Sequence, residues 1–166
     1  MIRKALPSEL PLLASIEDAA AEMFRGTAME FVLSLPKAPI KTAAIPEAVT
    51  IWAACDAADQ PIGFLEAETI HGWLHILELS VHPSHHRNGH ARALIDTARA
   101  FARTEGLDAV SLTTDRAIPW NGPAYTRMGF HALTAPESPD WLLAILAHET
   151  TAGFDPLRRI AMMRAP

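Results

Sequence analysis

Between Val49 and Val81 the chain reads VTIWAACDAADQPIGFLEAETIHGWLHILELSV. Runs rich in β-branched and aromatic residues are broken first at DAADQP and again at HG. Such residues suit a pleated, half-buried surface, and the breaks carry turn chemistry, so the segment predicts a three-strand meander. The third run, Leu74 to Val81, is apolar on both faces, which belongs at the centre of a sheet.

The flanking sequence supplies the cover. Met1 to Ala5 reads as a short first strand, and Ser8 as the N-cap of a helix reaching about Phe24, with Leu12, Leu13, Ile16, Ala19, Ala20 and Met23 at helical spacing. MEFVLSL predicts a short helix and PKAPIKTAAIPEA a loop. HARALIDTARAFARTEG sets Ala91, Leu94, Ile95, Ala98, Phe101 and Ala102 on one stripe that ends at Gly106. DAVSLTTD predicts a strand, NGPAYTRMG a short helix begun by Asn121, FHALT a strand, SPDWLLAILAHETTAG a helix and LRRIAMMRA a closing strand. This order predicts an α+β (mixed α/β) fold, with helices over a partly antiparallel sheet. No repeat or low-complexity linker divides the 166 residues, so a single domain over 1–166 is expected.

Composition narrows the function. A formal net charge of −5 with dispersed Arg and Lys argues against nonspecific nucleic-acid binding. No apolar run approaches membrane-spanning length, and MIRKALPSEL lacks a signal-peptide core, so a cytoplasmic protein without membrane association is expected. Cys55 is the only cysteine, which excludes an internal disulfide and a zinc ribbon and suits a small buried group on a strand.

VHPSHHRNGHARALIDTARA poses the central choice, because it holds four of the eight histidines and also a glycine before a helix. His82, His85, His86 and His90 match no common zinc spacing, so no metal is expected and solvated loop histidines suffice. A phosphate site fits better. The strand runs out at Val81 and a helix begins near Gly89. The first N–H groups of a helix lack partners within it and favour an anion. Gly89 and Ala91 admit a phosphate close to the backbone, and Arg87 and Arg92 can add charge-assisted bonds.

HHRNGHA after LELSVHP resembles the acetyl-CoA loop of the GNAT superfamily of N-acetyltransferases, whose pattern Gln/Arg-x-x-Gly-x-Gly/Ala falls on His86, Arg87, Asn88, Gly89, His90 and Ala91. His86 departs from the usual glutamine or arginine. PWNGPAYTRMGF resembles a second GNAT element, with Tyr125 four residues before Gly-Phe. The N-terminal IRKALPSELPLLASIE and the closing GFDPLRRIAMMRAP are similar to a bacterial GNAT subgroup. The resemblance implies the GNAT acyl-CoA N-acyltransferase fold, a central twisted, mostly antiparallel sheet flanked by helices. It further implies an acetyltransferase using acetyl-CoA as cosubstrate, with loop amides on the CoA pyrophosphate and a tyrosine near the CoA sulfur.

Acetyl transfer needs an amine that has lost a proton, a stabilised oxyanion and a tolerated thiolate. Glu78 is the candidate base. On simple alternation it shares a face with Leu74, Ile76 and Ser80, where apolar surroundings would raise its pKa, although family strands often bulge near this point. His75 and Glu66 are weaker alternatives, and Glu78 paired with a neighbouring strand is the plain structural reading. Tyr125 is the candidate acid, since phenol and thiol pKa values of about 10 and 8.5 are close enough for a proton to pass. Its plain reading is a core aromatic. Backbone at Leu79, Ser80 and Val81 is the expected acetyl and pantetheine contact along a splayed edge. Asn121 is either a cofactor contact or a helix N-cap, and Arg127 either reaches a CoA phosphate or faces solvent. Trp52, Trp73 and Trp141 either line an acceptor pocket or pack the core, and Met162 and Met163 read as packing. Pro119, Trp120 and Pro123 read as shaping the entry to the short helix.

The expected activity is direct transfer of the acetyl group of acetyl-CoA to a primary amine of a small molecule, peptide or protein. The family is often dimeric, so a homodimer is compatible. Two rivals remain at this stage: a noncatalytic acyl-CoA-binding regulatory module on the same fold, and an unrelated nucleotide-binding α/β domain.

Overall fold

A computed structural model describes residues 1–35 and 47–166. The meander is present as β2 (Val49–Cys55), β3 (Pro61–Ile70) and β4 (Trp73–Val81). β1 (Ile2–Lys4) pairs on the outer edge of β2, while β5 (Ala109–Asp115), β6 (His131–Ala132) and β7 (Arg159–Arg164) continue the sheet beyond β4. The seven strands lie in the order β1-β2-β3-β4-β5-β7-β6. β4 and β5 are parallel, and every other neighbouring pair is antiparallel. β4 is therefore central, as its apolar character implies.

Two helices cover opposite faces of the first half of the sheet. α1 (Leu10–Ala21) sets Leu10, Leu13 and Ile16 against Ile51, Ala53, Cys55 and Phe64. α2 (His90–Thr104) buries Leu94, Ile95, Ala98 and Ala102 completely against Trp52, Leu65, Leu74, Ile76 and Val110. Burying one such Leu or Ile contributes about 2 kcal/mol, and Leu94→Ala would forfeit about 3 kcal/mol once the cavity is counted. Ala91 and Phe101 pack at the margin of this stripe, and Phe101 meets Trp52 edge-on at 5.3 Å. α2 stops where expected. Gly106 turns to φ 66° while Leu107 N–H bonds to the Ala102 carbonyl at 2.9 Å and Gly106 N–H to Arg103 at 3.2 Å, a Schellman closure. α3 (Gly122–Arg127) and α4 (Asp140–Thr151) complete the helices.

Ser8 does not cap α1. The chain enters through a 3-10 turn at Pro7–Glu9, and α1 begins one residue later. The Glu9 carboxylate accepts the Leu6 amide at 2.8 Å and grips Arg3 at 2.7 and 3.0 Å, so a longer acidic side chain does the work expected of the serine. MEFVLSL forms a 3-10 helix at Glu30–Ser34, and nearly all of PKAPIKTAAIPEA lies outside the described residues. Cys55 is buried with a free thiol. Among the described residues no helix is long and apolar enough to cross a membrane.

Candidate active site

The parallel ladder between β4 and β5 runs from Trp73↔Ala109 to Ile76↔Leu112 and goes no further. Beyond it β5 stays paired with β7 as far as Asp115, while β4 stays with β3 as far as Val81. The two strands diverge, and a cleft of about 760 Å³ opens between them.

A bulge marks the start of the divergence. Glu66 pairs with Glu78 and Ala67 with Ile76, so Leu77 is an extra residue on β4. The bulge reverses the phase of alternation. Leu74, Ile76, Leu79 and Val81 all contribute to the core beneath α2, whereas Ser80 pairs with Phe64 in the core beneath α1. Glu78 therefore shares a face with Ser80 and Glu66, and not with Leu74 and Ile76 as unbroken alternation implies. Ser80 Oγ donates to Glu78 Oε1 at 2.6 Å, which fixes the carboxylate.

The same register exposes peptide groups. His82 N–H bonds to the Ile62 carbonyl at 2.8 Å. In an antiparallel pair the bonded positions recur every second residue, so Ser80 and Glu78 turn their peptides to β3 while Leu79 and Val81 turn theirs to the open edge. The Val81 carbonyl accepts His86 Nε2 at 2.7 Å. The Leu79 peptide and the Val81 N–H thus face the cleft with no ladder partner.

At the end of β4 a 3-10 turn, Pro83–His85, leads to α2. Arg87 at φ 63° and Gly89 at φ 81° both take left-handed backbone, and a Cβ on Gly89 would point into open space. Arg87, Gly89, His90 and Ala91 line the cleft. Among the described residues the amides of 87–92 bond to no protein acceptor, so they and the positive end of α2 are available to an anion. His86 differs from its neighbours in the loop. Its amide closes onto Pro83 at 3.2 Å and its ring holds Val81, so it shapes the loop from within. Arg92 and Arg127 are exposed and tie α2 to α3, Arg92 bonding to the Arg127 carbonyl at 3.2 Å and Arg127 to the Pro119 carbonyl at 3.3 Å. Asn88, Arg92 and Arg127 do not line the cleft. No three His, Cys, Asp or Glu side chains among the described residues gather as an ion site.

The opposite wall is set by the turn after β5. The Asp115 carboxylate accepts the Ala117 and Ile118 amides at 2.8 and 2.9 Å and a two-pronged bond from Arg158 at 2.7 and 2.9 Å. Gly122 starts α3 hard against this turn, where a Cβ would sit 2.9 Å from the Asp115 carbonyl. Asn121 precedes α3 without a side-chain capping bond and lines the cleft. The clamp delivers Tyr125, whose ring packs edge-on against Phe130 at 5.7 Å and whose side chain reaches the cleft. Burial raises the Tyr125 pKa well above the usual phenol value, the nearby Glu78 charge raises it further, and Arg159 lowers it in part. Glu78 and Tyr125 are thus brought together in one field.

His75 and Glu66 do not line the cleft. His75 is buried, its Nδ1 3.0 Å from Ser111 Oγ and its ring edge-on to Trp141, and desolvation pushes its pKa down to about 4. Trp141 meets both His75 and Trp73 edge-on, Trp52 lies under α2, and none of the three tryptophans lines the cleft. Trp120, read from sequence as a shaping residue, does line it, beside Phe24 at 6.3 Å. From sequence the acceptor is expected between the first helical region and the late loops. The cleft is walled there, from α1 to Leu35 with Thr113, Thr114, Phe154 and Arg159 facing it, although the sequence singles none of these residues out for it. Phe154 and Arg159 fall in the closing GFDPLRRIAMMRAP segment, and the others belong to no motif.

The model of the Acetyltransferase (GNAT) family matches residues 13–130. Several solved structures are similar at low identity. The PaiA N-acetyltransferase from Thermoplasma acidophilum, in complex with coenzyme A, is 15% identical over 100% of this chain and 98% of its own, with a TM-score of 0.71. An acetyltransferase of the GNAT family from Staphylococcus aureus Mu50 is 14% identical over 99% and 98%, also at 0.71. The ribosomal-protein-S18-alanine N-acetyltransferase from Escherichia coli is 18% identical over 98% and 90%, at 0.61.

Proposed function

This chain belongs to the acetyltransferase (GNAT) family, and from that premise we propose that it moves the acetyl group of acetyl-CoA directly onto a primary amine. The observation that carries the proposal is the divergence of β4 from β5 after Ile76↔Leu112, which leaves the Leu79 peptide and the Val81 N–H open beside the unbonded amides of 87–92. A diphosphate suits those amides, and a pantetheine arm suits the open edge as an added strand.

Each step then falls to a named group. Glu78, oriented by Ser80, takes the proton of the incoming ammonium, and the freed nitrogen attacks the thioester carbon. The Leu79 N–H donates to the carbonyl oxygen as it becomes an oxyanion. The C–S bond breaks, the Tyr125 O–H passes its proton to the departing sulfur, and the second proton, shed by the attacking nitrogen, returns to Tyr125. Because the Tyr125 phenol is raised, it is protonated when the step begins. Burial raises the proton affinity of a thiolate in the same cleft as well, so donor and acceptor move together.

The test is thiol release from acetyl-CoA with a panel of primary amines, alongside calorimetric binding of CoA. CoA binding together with amine-dependent thiol release supports the reading. Tight CoA binding with no release for any amine would favour the noncatalytic module, and absence of CoA binding would remove both.

A further inference from the structure

The acceptor side of the cleft has a consistent chemistry. It lies on the α1 face of the sheet, the face to which the Leu77 bulge turns Glu78. Met23, Phe24, Met29, Val32, Leu35 and Phe154 form its wall. The charged side chains lining this side among the described residues are Glu17, Glu78 and Arg159. Arg159 is committed. It donates to both Glu149 oxygens at 2.8 and 2.7 Å and lies 4.4 Å over the Phe154 ring, which makes it part of the wall. A carboxylate-bearing acceptor therefore meets a cation already neutralised. An acceptor with three or more ammonium groups finds, among the described residues, only Glu17 besides Glu78 on this side and would have to strip water from the rest against Met and Phe side chains. One ammonium at Glu78, with an apolar body along Phe24, Met29 and Val32, leaves no ammonium stranded.

Resting on the acetyltransferase reading above, we propose that the acceptor is a primary amine carried on an uncharged, apolar body, and not a polyamine, an aminoglycoside or a free amino acid. The amine end lies at Glu78 and the apolar end against the Phe24–Val32 wall.

The experiment compares kcat/KM for 2-phenylethylamine, spermidine, kanamycin and free phenylalanine at saturating acetyl-CoA. 2-Phenylethylamine is expected to lead each of the others by at least about tenfold, the scale on which an apolar pocket discriminates. Phe24→Ala is expected to raise KM for 2-phenylethylamine by about tenfold while the acetyl-CoA Kd stays within twofold. Val32→Glu is expected to shift preference toward spermidine, which protects the test should one variant fold poorly. Preference for spermidine, kanamycin or phenylalanine in the unmodified protein overturns the proposal and leaves the acetyltransferase reading standing. Thiol release with none of the four, despite CoA binding, overturns this proposal, and the acetyltransferase reading falls only if no amine of the wider panel, peptides included, gives release.

Discussion

Ser80 donates its hydroxyl to the Glu78 carboxylate at 2.6 Å, across two residues of a strand that has just passed a bulge. Without Leu77 as the extra residue, both side chains would lie beneath α2. Glu78→Gln keeps the shape and removes the proposed base. It is expected to lower kcat by about 10²–10⁴-fold with little change in acetyl-CoA affinity. Ser80→Ala removes only the orienting bond, so a loss of about tenfold in kcat is expected. Steady-state kinetics with calorimetry checks both, and full activity in Glu78→Gln would transfer the base role elsewhere.

Tyr125 carries a phenol raised by burial and by the Glu78 charge. Its hydroxyl therefore holds its proton at every pH below about 10, and no descending limb in kcat should arise from it there. Tyr125→Phe is expected to lower kcat by about 10–10²-fold and to move KM for acetyl-CoA far less. A pH–rate profile of both forms decides the matter, and equal kcat would take Tyr125 out of the mechanism.

Gly89 sits at φ 81° with open space where a Cβ would project. Gly89→Ala should fold with a loss of about 1 kcal/mol from left-handed backbone alone. Gly89→Glu adds a negative charge at the mouth of the anion cradle, and calorimetry should then show CoA binding lost while circular dichroism stays unchanged. Undiminished affinity would place the diphosphate elsewhere.

His75 gives the protein an acid sensitivity remote from the cleft. Its pKa falls from 6.5 in the unfolded chain to about 4 when buried against Ser111 and Trp141. Above pH 6.5 it is neutral in both states and adds no pH dependence. As pH falls through 6.5 the unfolded state takes up a proton that the folded state refuses, and stability declines until the folded form titrates near 4. Between pH 7.5 and 5 this costs about 2 kcal/mol. Urea unfolding at the two pH values should show a steep dependence in the parent and a flatter one in His75→Gln.

The parts of this architecture that were legible in sequence are those written locally. The α2 stripe from Leu94 to Ala102, its glycine stop at Gly106 and the meander from Val49 to Val81 follow from periodicity and turn chemistry. Gly89 and Tyr125 stood out because their motifs are short and contiguous. The direction of Glu78 did not, because one bulged residue inverts a period-two pattern and nothing in LHILELS announces where it falls. The Ser8 cap misled because Arg3 and Leu6, both nearby in space, drew Glu9 into the part. The individual residues of the proposed acceptor wall were not legible for another reason. Phe24, Val32 and Phe154 come from separate segments and meet only because β4 and β5 part.

That parting also has a mechanical side. Among the described residues the two halves of the sheet, β1 to β4 and β5 to β7, pair edge to edge only over the short register from Trp73↔Ala109 to Ile76↔Leu112, with the Asp108 N–H bonded to the Gly72 carbonyl just before it. A pantetheine chain lying along Leu79 and Val81 would extend that short stitch with rungs of its own. The cosubstrate would then serve as a structural strut as well as a reagent, slowing deuterium uptake at both amides and lifting the melting temperature as it saturates.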